Sequence, residues 1–285
     1  MNGILLLDKP KGITSHDCVS AIRKKLQTKR VGHAGTLDPL ATGLLILAVG
    51  HATRFLRYMQ LEPKCYFTTF QLGVETTTYD AEGEVVKRTA ADSIIREQIE
   101  RASLSFTGEI EQLPPMFSAV KVGGRPLYKL ARKGEEVERA ARRVQISEFQ
   151  ILAHNSPTVE AKLCVSSGTY IRTIVHDLGQ VLGVGASVQE LRRTSAGEFD
   201  VKNATTIDDV SERSLIQLTA ALTPMPMIEV DEHKEAAVRN GQTVCIANVE
   251  AEKIGLVNKL GQLVSVAHRN TAGNWQPECV VPGME

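Results

Sequence analysis

The sequence is short of the features that announce most chemistries. Lys+Arg and Asp+Glu total 33 each, so the formal net charge is zero and no overall attraction to a polyanion follows. No CxxC pair occurs among Cys18, Cys65, Cys164, Cys245 and Cys279, and the seven histidines show no HxxxH spacing. That pattern argues against a zinc site, metal catalysis or a disulfide framework, and no motif for an organic cofactor stands out. Apolar runs stop well short of the ~18 residues that a membrane-spanning helix needs. The N-terminal residues lack a signal-peptide pattern, so the expected compartment is the cytoplasm, with no membrane partner.

What remains is a chain of 285 residues, 42% hydrophobic and 23% charged, the composition of an ordinary globular protein. At ~100–200 residues per domain, about two domains are expected. The charge is unevenly spread. Between Lys9 and Arg30 stand Lys9, Lys11, Arg23, Lys24, Lys25, Lys29 and Arg30 against a single acid, Asp17. Between Lys121 and Arg143 stand Lys121, Arg125, Lys129, Arg132, Lys133, Arg139, Arg142 and Arg143 against Glu135, Glu136 and Glu138. Clusters of this kind on a neutral chain fit a phosphate footprint or, equally, solvated helix faces.

The chain is organised around Gly32-His33-Ala34-Gly35-Thr36-Leu37-Asp38-Pro39-Leu40-Ala41-Thr42-Gly43. Pro39 pushes the residue before it out of the helical region, so Asp38 presents its carboxylate from an extended or turn backbone. Flanking glycines let that backbone turn and let a bulky ligand come close. The run Leu44–Val49, bounded by Gly43 and Gly50, reads as a fully buried strand. By residue type alone, Asp38 is a turn residue or a cap. Upstream, Ile4–Leu7 reads as a strand ending in a turn over Asp8–Gly12, where Lys9 by itself is a solvated lysine. Thr14 or Ser15 caps a helix with Val19, Ile22 and Leu26 on one face. Further strands are expected at 64–74, about 143–153 and 158–167, with a helix capped by Asp92 and running to about Phe106. Pro224-Met225-Pro226 marks a boundary, after which short alternating runs suggest a small β-rich unit.

The block GHAGTLDPLATGLL resembles the signature of the pseudouridine synthases that modify uridine 55 of transfer RNA, the TruB family. The opening LLLDKPKGITSHDCV is similar to that family's start. A second motif, KxYxxxxxLGxxTxTxDxxG, is matched by Lys64, Tyr66, Leu72, Gly73, Thr76, Thr78, Asp80 and Gly83. Residues Gln112–Lys121 resemble a third block, with Phe117 where tyrosine is common. Residues 168–179 follow GTYIRxxxxDLG, and Leu191-Arg192-Arg193-Thr194 follows an LRR(T/L) block.

The resemblance implies an α+β fold. A catalytic domain with a mixed or antiparallel sheet and helices would span 1–223, and a small C-terminal β-rich, PUA-like RNA-binding domain 226–285. It implies Asp38 as the catalytic residue, Tyr66 and Arg172 beside it, Leu191 as an apolar wall and Lys9 in support. His33 would stack where the base has flipped out. An RNA-gripping insertion at about 119–143 would use Lys129, Arg132 and Lys133.

The implied reaction converts uridine in the T-arm of tRNA to pseudouridine without cofactor or metal, by a monomer that needs no protein partner. A carboxylate, ionised at neutral pH without a neighbouring base, suits it. Asp38 has three routes open: adding to C1′, adding to C6, or removing the 2′ proton. Arg172 facing Asp38 is expected as a bidentate fork. Two other classes stand beside this one, a catalytically idle RNA-binding or RNA-folding factor and a guide-RNA-dependent relative of the synthases.

Overall fold

The computed structural model describes residues 1–135 and 137–283; Glu136, one of the acids counted above, lies outside the described residues, as do Met284 and Glu285 of the expected C-terminal unit. The chain opens with β1 (Gly3–Lys9), α1 (Ser15–Lys25) and a hairpin of β2 (Val31–Ala34) and β3 (Thr42–Val49). Then come β4 (Lys64–Leu72), the short pair β5 (Val74–Thr76) and β6 (Val85–Arg88), α2 (Arg96–Leu104) and β7 (Gly108–Gln112). An arm follows, made of β8 (Lys121–Val122), β9 (Arg125–Pro126) and α3 (Leu127–Ala131). The larger unit is completed by β10 (Arg142–Asn155), β11 (Thr158–Val165), α4 (Ile171–Val181), β12 (Ala186–Ala196), β13 (Phe199–Asp200), β14 (Leu215–Ile216) and α5 (Leu218–Ala221). The smaller unit holds β15 (Met227–Glu229), α6 (Glu232–Arg239), β16 (Lys253–Val257), β17 (Leu263–Arg269) and β18 (Trp275–Val280).

Among the described residues, ten strands form one mixed sheet in the order β14-β1-β3-β12-β4-β11-β10-β7, with β2 added on β3 and β13 on β12. Strand alternation sends Leu5, Leu7, Leu45, Leu47 and Val49 to one face and Ile4, Leu6, Leu44, Ile46 and Ala48 to the other. Both faces are covered here, which is why Leu44–Val49 is apolar without a break. Against the first face pack α1 through Val19 and Ile22, α2 through Ile99, and α4 through Ile174, Val175 and Leu178. Against the second pack Phe55, Tyr58 and Leu218, together with Val257, Leu263, Val266 and Cys279 of the small sheet. The four-stranded sheet β15-β16-β17-β18 also has a core of its own around Val238, Leu256, Val264 and Trp275.

Three local expectations are corrected and one choice is resolved. β1 runs on through Asp8 and Lys9, because both pair with β3, at Leu44 and Gly43. Thr14, rather than Ser15, caps α1: its hydroxyl accepts from the Asp17 N–H, and Asp17 accepts from the Thr14 N–H. The helix expected from Asp92 begins at Arg96. Ala91 and Ile94 are drawn into the core and close a turn, and the Gln98 side chain caps the N–H of Ile95. Finally, Cys65 of β4 and Cys164 of β11 stand directly opposite each other and are joined by a disulfide. Their separation of 99 residues hides a pairing that only the sheet register creates. The arm is anchored by buried Leu127 and Leu130.

At the parallel junction of β3 with β12, beside the loop that carries Asp38, the two backbones leave no room for a side chain. Gly43 has φ +96°, and a Cβ there would lie 2.2 Å from the backbone oxygen of Arg193. Gly43→Ala is therefore expected to destabilise the fold by about 2–4 kcal/mol in denaturant unfolding. An unchanged midpoint would contradict this account of the junction.

Candidate active site

The Asp38 loop is the connection of the β2–β3 hairpin, in which His33 pairs with Leu47 and Ala34 with Ile46. Leu37, Leu40 and Ala41 drop into the core on either side of the aspartate, so the loop is stapled down and only its tip is lifted. The backbone is also held by hydrogen bonds before and after Asp38. Ser15 Oγ accepts from the Leu37 N–H at 2.8 Å and donates to the Leu37 carbonyl at 3.0 Å. The Pro39 carbonyl accepts from the Gly12 N–H at 2.8 Å and from Lys9 Nζ at 3.4 Å.

Lys9 thus departs from its reading by residue type as a solvated lysine. It is fully buried, and its ammonium donates to the carbonyls of Pro10, Ile13 and Pro39. Burial pushes its pKa below the ordinary lysine value, against the opposing pull of Cys18 and Asp38 among others. Such a group fixes a turn; it does not meet a phosphate.

Arg172, at the start of α4, is 4% exposed and faces two carboxylates. Nη2 lies 2.9 Å from Asp38 Oδ2, and Nη1 lies 3.3 Å from Asp80 Oδ2. The guanidinium also donates to the carbonyls of Thr78 (2.9 Å) and Phe117 (3.0 Å). The expected bidentate fork on Asp38 is therefore not what forms: the fork is divided between two aspartates.

Asp80 was legible only as a matched position of the second motif, and its partnership with Arg172 escaped sequence reasoning. Its carboxylate accepts from Thr78 Oγ1 (2.5 Å) and the Glu82 N–H (3.1 Å), while Thr76 Oγ1 donates to its carbonyl (2.7 Å). Beside it, Tyr79 adopts φ +63° and stacks on His176 of α4 with ring centroids 3.9 Å apart. Glu82 is a further acid that the sequence did not single out. Burial, then Asp80 and Asp38, push its carboxyl up.

Tyr66 and Leu191 lie on the floor of the same core as Leu37 and Leu40, each 7% exposed. Register explains their proximity: Tyr66 of β4 faces Arg193 of β12, and the next same-face pair is Thr68 with Leu191. His33 is half-buried on β2, and its Nδ1 has no hydrogen-bond partner among the described residues. Burial first, then Arg193 and His16, lower its pKa, so the ring is kept neutral. Lys129, Arg132 and Lys133 are exposed on the arm; Arg125, Lys129 and Lys133 line a cleft of about 390 Å³ there. The arm is tied to the site through Phe117, whose carbonyl holds Arg172.

Chemically, this is one half-exposed carboxylate oriented by a buried guanidinium, on a loop whose Leu37 and Leu40 share a core with Tyr66 and Leu191. Among the described residues Oδ1 of Asp38 has no hydrogen bond, so it is the free face of the group.

Residues 23–171 match the N-terminal domain of the TruB family pseudouridylate synthases, and residues 172–227 match the tRNA pseudouridylate synthase B C-terminal domain. The boundary between the two matches runs through the large sheet and separates Arg172 from Asp38. A curated relative from Stutzerimonas stutzeri (strain A1501), "tRNA pseudouridine synthase B", is 42% identical over 99% of this chain and 96% of its own. One of the same name from Thermobifida fusca (strain YX) is 40% identical over 99% of both chains, and one from Clostridium tetani (strain Massachusetts / E88) is 43% identical over 86% of both. Among solved structures, a Cbf5-Nop10-Gar1 complex matches with TM-score 0.70 at 25% identity, covering 99% of this chain and 84% of that one.

Removing Arg172 leaves Asp80 buried without its counter-charge. Arg172→Met is expected to destabilise the fold by about 3–5 kcal/mol in chemical denaturation. Adding Asp80→Asn to that variant should restore part of the loss, because the stranded charge is gone. Losses that simply add would show that the two groups do not interact.

Proposed function

The chain belongs to the TruB family of pseudouridylate synthases, and on that premise we propose that it isomerises uridine 55 in the T-arm of tRNA, with Asp38 as the reacting carboxylate. The observation that carries this reading is the carboxylate of Asp38, offered from a loop pinned on both sides and oriented by buried Arg172. The names of relatives about 40% identical over nearly the whole chain supply the substrate class.

The reaction breaks the N1–C1′ bond and joins C5 to C1′; C5 gives up its proton and N1 takes one, so nothing external is consumed. Asp38 has three uses in it, addition to C1′, addition to C6 or removal of the 2′ proton. Each needs one carboxylate oxygen held and the other free, the arrangement Arg172 imposes. Asp80 and the Thr78 and Phe117 carbonyls fix the guanidinium, so its place does not depend on Asp38 alone. Tyr66 and Leu191 give the detached base an apolar floor on which to turn without escaping.

A uridine stacked in a folded loop must leave the stack, at a cost of a few kcal/mol. His33, neutral and in the same hairpin as Asp38, is the ring available to stack in its place. The exposed cations of the arm supply phosphate contacts, and the 226–283 sheet is read as the PUA-like RNA-binding module, on the strength of its separate core. The enzyme is taken to act as a monomer on bare tRNA in the cytoplasm. No helix among the described residues is long and apolar enough to cross a membrane. An idle RNA-binding factor would have no use for the Asp38–Arg172–Asp80 alignment, and the guide-dependent alternative is disfavoured by the relatives' names.

Purified protein incubated with a tRNA transcript alone is expected to place one pseudouridine in the T-loop, read by mass mapping. Asp38→Asn is expected to abolish turnover while tRNA affinity stays within about threefold of wild type. Residual turnover above about a hundredth of wild type would remove Asp38 from the chemistry.

A further inference from the structure

The proposed reaction leaves one charged feature of the site unused. Arg193 on β12 is 1% exposed and has no carboxylate within ion-pair distance among the described residues. Its Nε donates to the Leu44 carbonyl (2.7 Å) and its Nη2 to the Gly35 carbonyl (3.1 Å). A second cation, Lys64 on β4, comes to the same spot: a Cβ on Gly35 would lie 3.2 Å from Lys64 Nζ and 3.4 Å from Arg193 Nη1. Burial first, then the neighbouring Arg193, push the Lys64 ammonium below its ordinary pKa, against the weaker pull of Glu62. A buried charge in a folded protein is ordinarily paired.

Lys64 Nζ donates to Ser167 Oγ (2.9 Å), and Gly35, Glu62, Lys64 and Ser167 line an open cleft of about 430 Å³. The nearby carboxylate, Glu62, accepts from the Ser167 N–H at 3.0 Å and, among the described residues, is not within ion-pair distance of either cation, so it acts on Lys64 only from further off. Gly35 has φ +82°, and the absence of a side chain there leaves Lys64 open to the cleft, with the Arg193 guanidinium buried beside it under Gly35.

We propose that the cleft between Gly35 and Ser167 seats one phosphate of the substrate RNA, held by Lys64 and drawn by the buried charge of Arg193 behind it, next to the nucleotide on which Asp38 acts. The location selects a backbone phosphate over a free anion. Gly35 precedes Asp38 by three residues, so at most ~10 Å of chain separates the two. That is within reach of a phosphate flanking the nucleotide whose C1′ meets the aspartate. The same peptide loop would then hold the backbone at Gly35 and act on the sugar at Asp38, fixing register while the base swings out.

This inference rests on the reading that RNA enters the Asp38 site, and the test separates the two. T-arm stem-loops are prepared with one neutral methylphosphonate in place of each loop phosphate in turn. Binding and single-turnover conversion are measured with wild type, Lys64→Gln and Lys64→Arg. In wild type, one linkage beside the target uridine should weaken binding about tenfold, and in Lys64→Gln that linkage should matter less than about twofold. Lys64→Arg, which keeps the charge, should retain the wild-type sensitivity. If Lys64→Gln and wild type respond alike at every linkage, the phosphate seat is wrong although the enzyme still works. If wild type does not convert the unmodified stem-loop, the functional reading falls and this inference falls with it.

Discussion

A single buried guanidinium sets the geometry of the site. Arg172 joins a carboxylate that solvent reaches, Asp38, to one that it does not, Asp80. Taking an arginine out of water is costly, and it is tolerated here because carboxylates and backbone carbonyls surround it. The consequence is rigidity. A surface Arg–Asp pair contributes under about 1 kcal/mol and is free to reorient; this arginine is held from behind, so the aspartate in front has one preferred orientation.

The rest of the fold delivers the three members of that network from distant parts of the chain. Asp38 arrives on a hairpin loop stapled by Leu37 and Leu40 and locked by Ser15 and Lys9. Asp80 arrives on a threonine-rich turn bridged to Val188 of β12, and Arg172 on the first turn of α4. Because α1, α4 and the loop pack on one face of the large sheet, the site is backed by the larger core. The opposite face, shared with the small C-terminal sheet, carries no member of the network.

Much of this was legible in the sequence, for identifiable reasons. Leu44–Val49 is buried on both sides and so apolar throughout, and Gly–Asp–Pro chemistry marks the Asp38 loop. The family motifs named Asp38, Tyr66, Arg172 and Leu191 residue by residue. What stayed hidden was pairing across the chain. Asp80 looks like any turn aspartate until α4 is folded against it, and Lys9 looks solvated until the Pro39 carbonyl closes over it. Cys65 and Cys164 become neighbours only through strand register, and Lys64 and Arg193, both within quoted motifs, become one charged cluster only when β4 and β12 meet beside Gly35. Local pattern reports local structure; partners in a mixed sheet are set by topology.

The central claim is that Asp80, which is buried away from solvent, acts by holding Arg172 in position for Asp38. The most direct measurement is the single-turnover rate of pseudouridine formation by Asp80→Asn, alongside its tRNA affinity and its unfolding midpoint. The account predicts a rate lower by about a hundredfold or more in a folded variant whose affinity for tRNA is unchanged. A folded Asp80→Asn protein with the wild-type rate would contradict it.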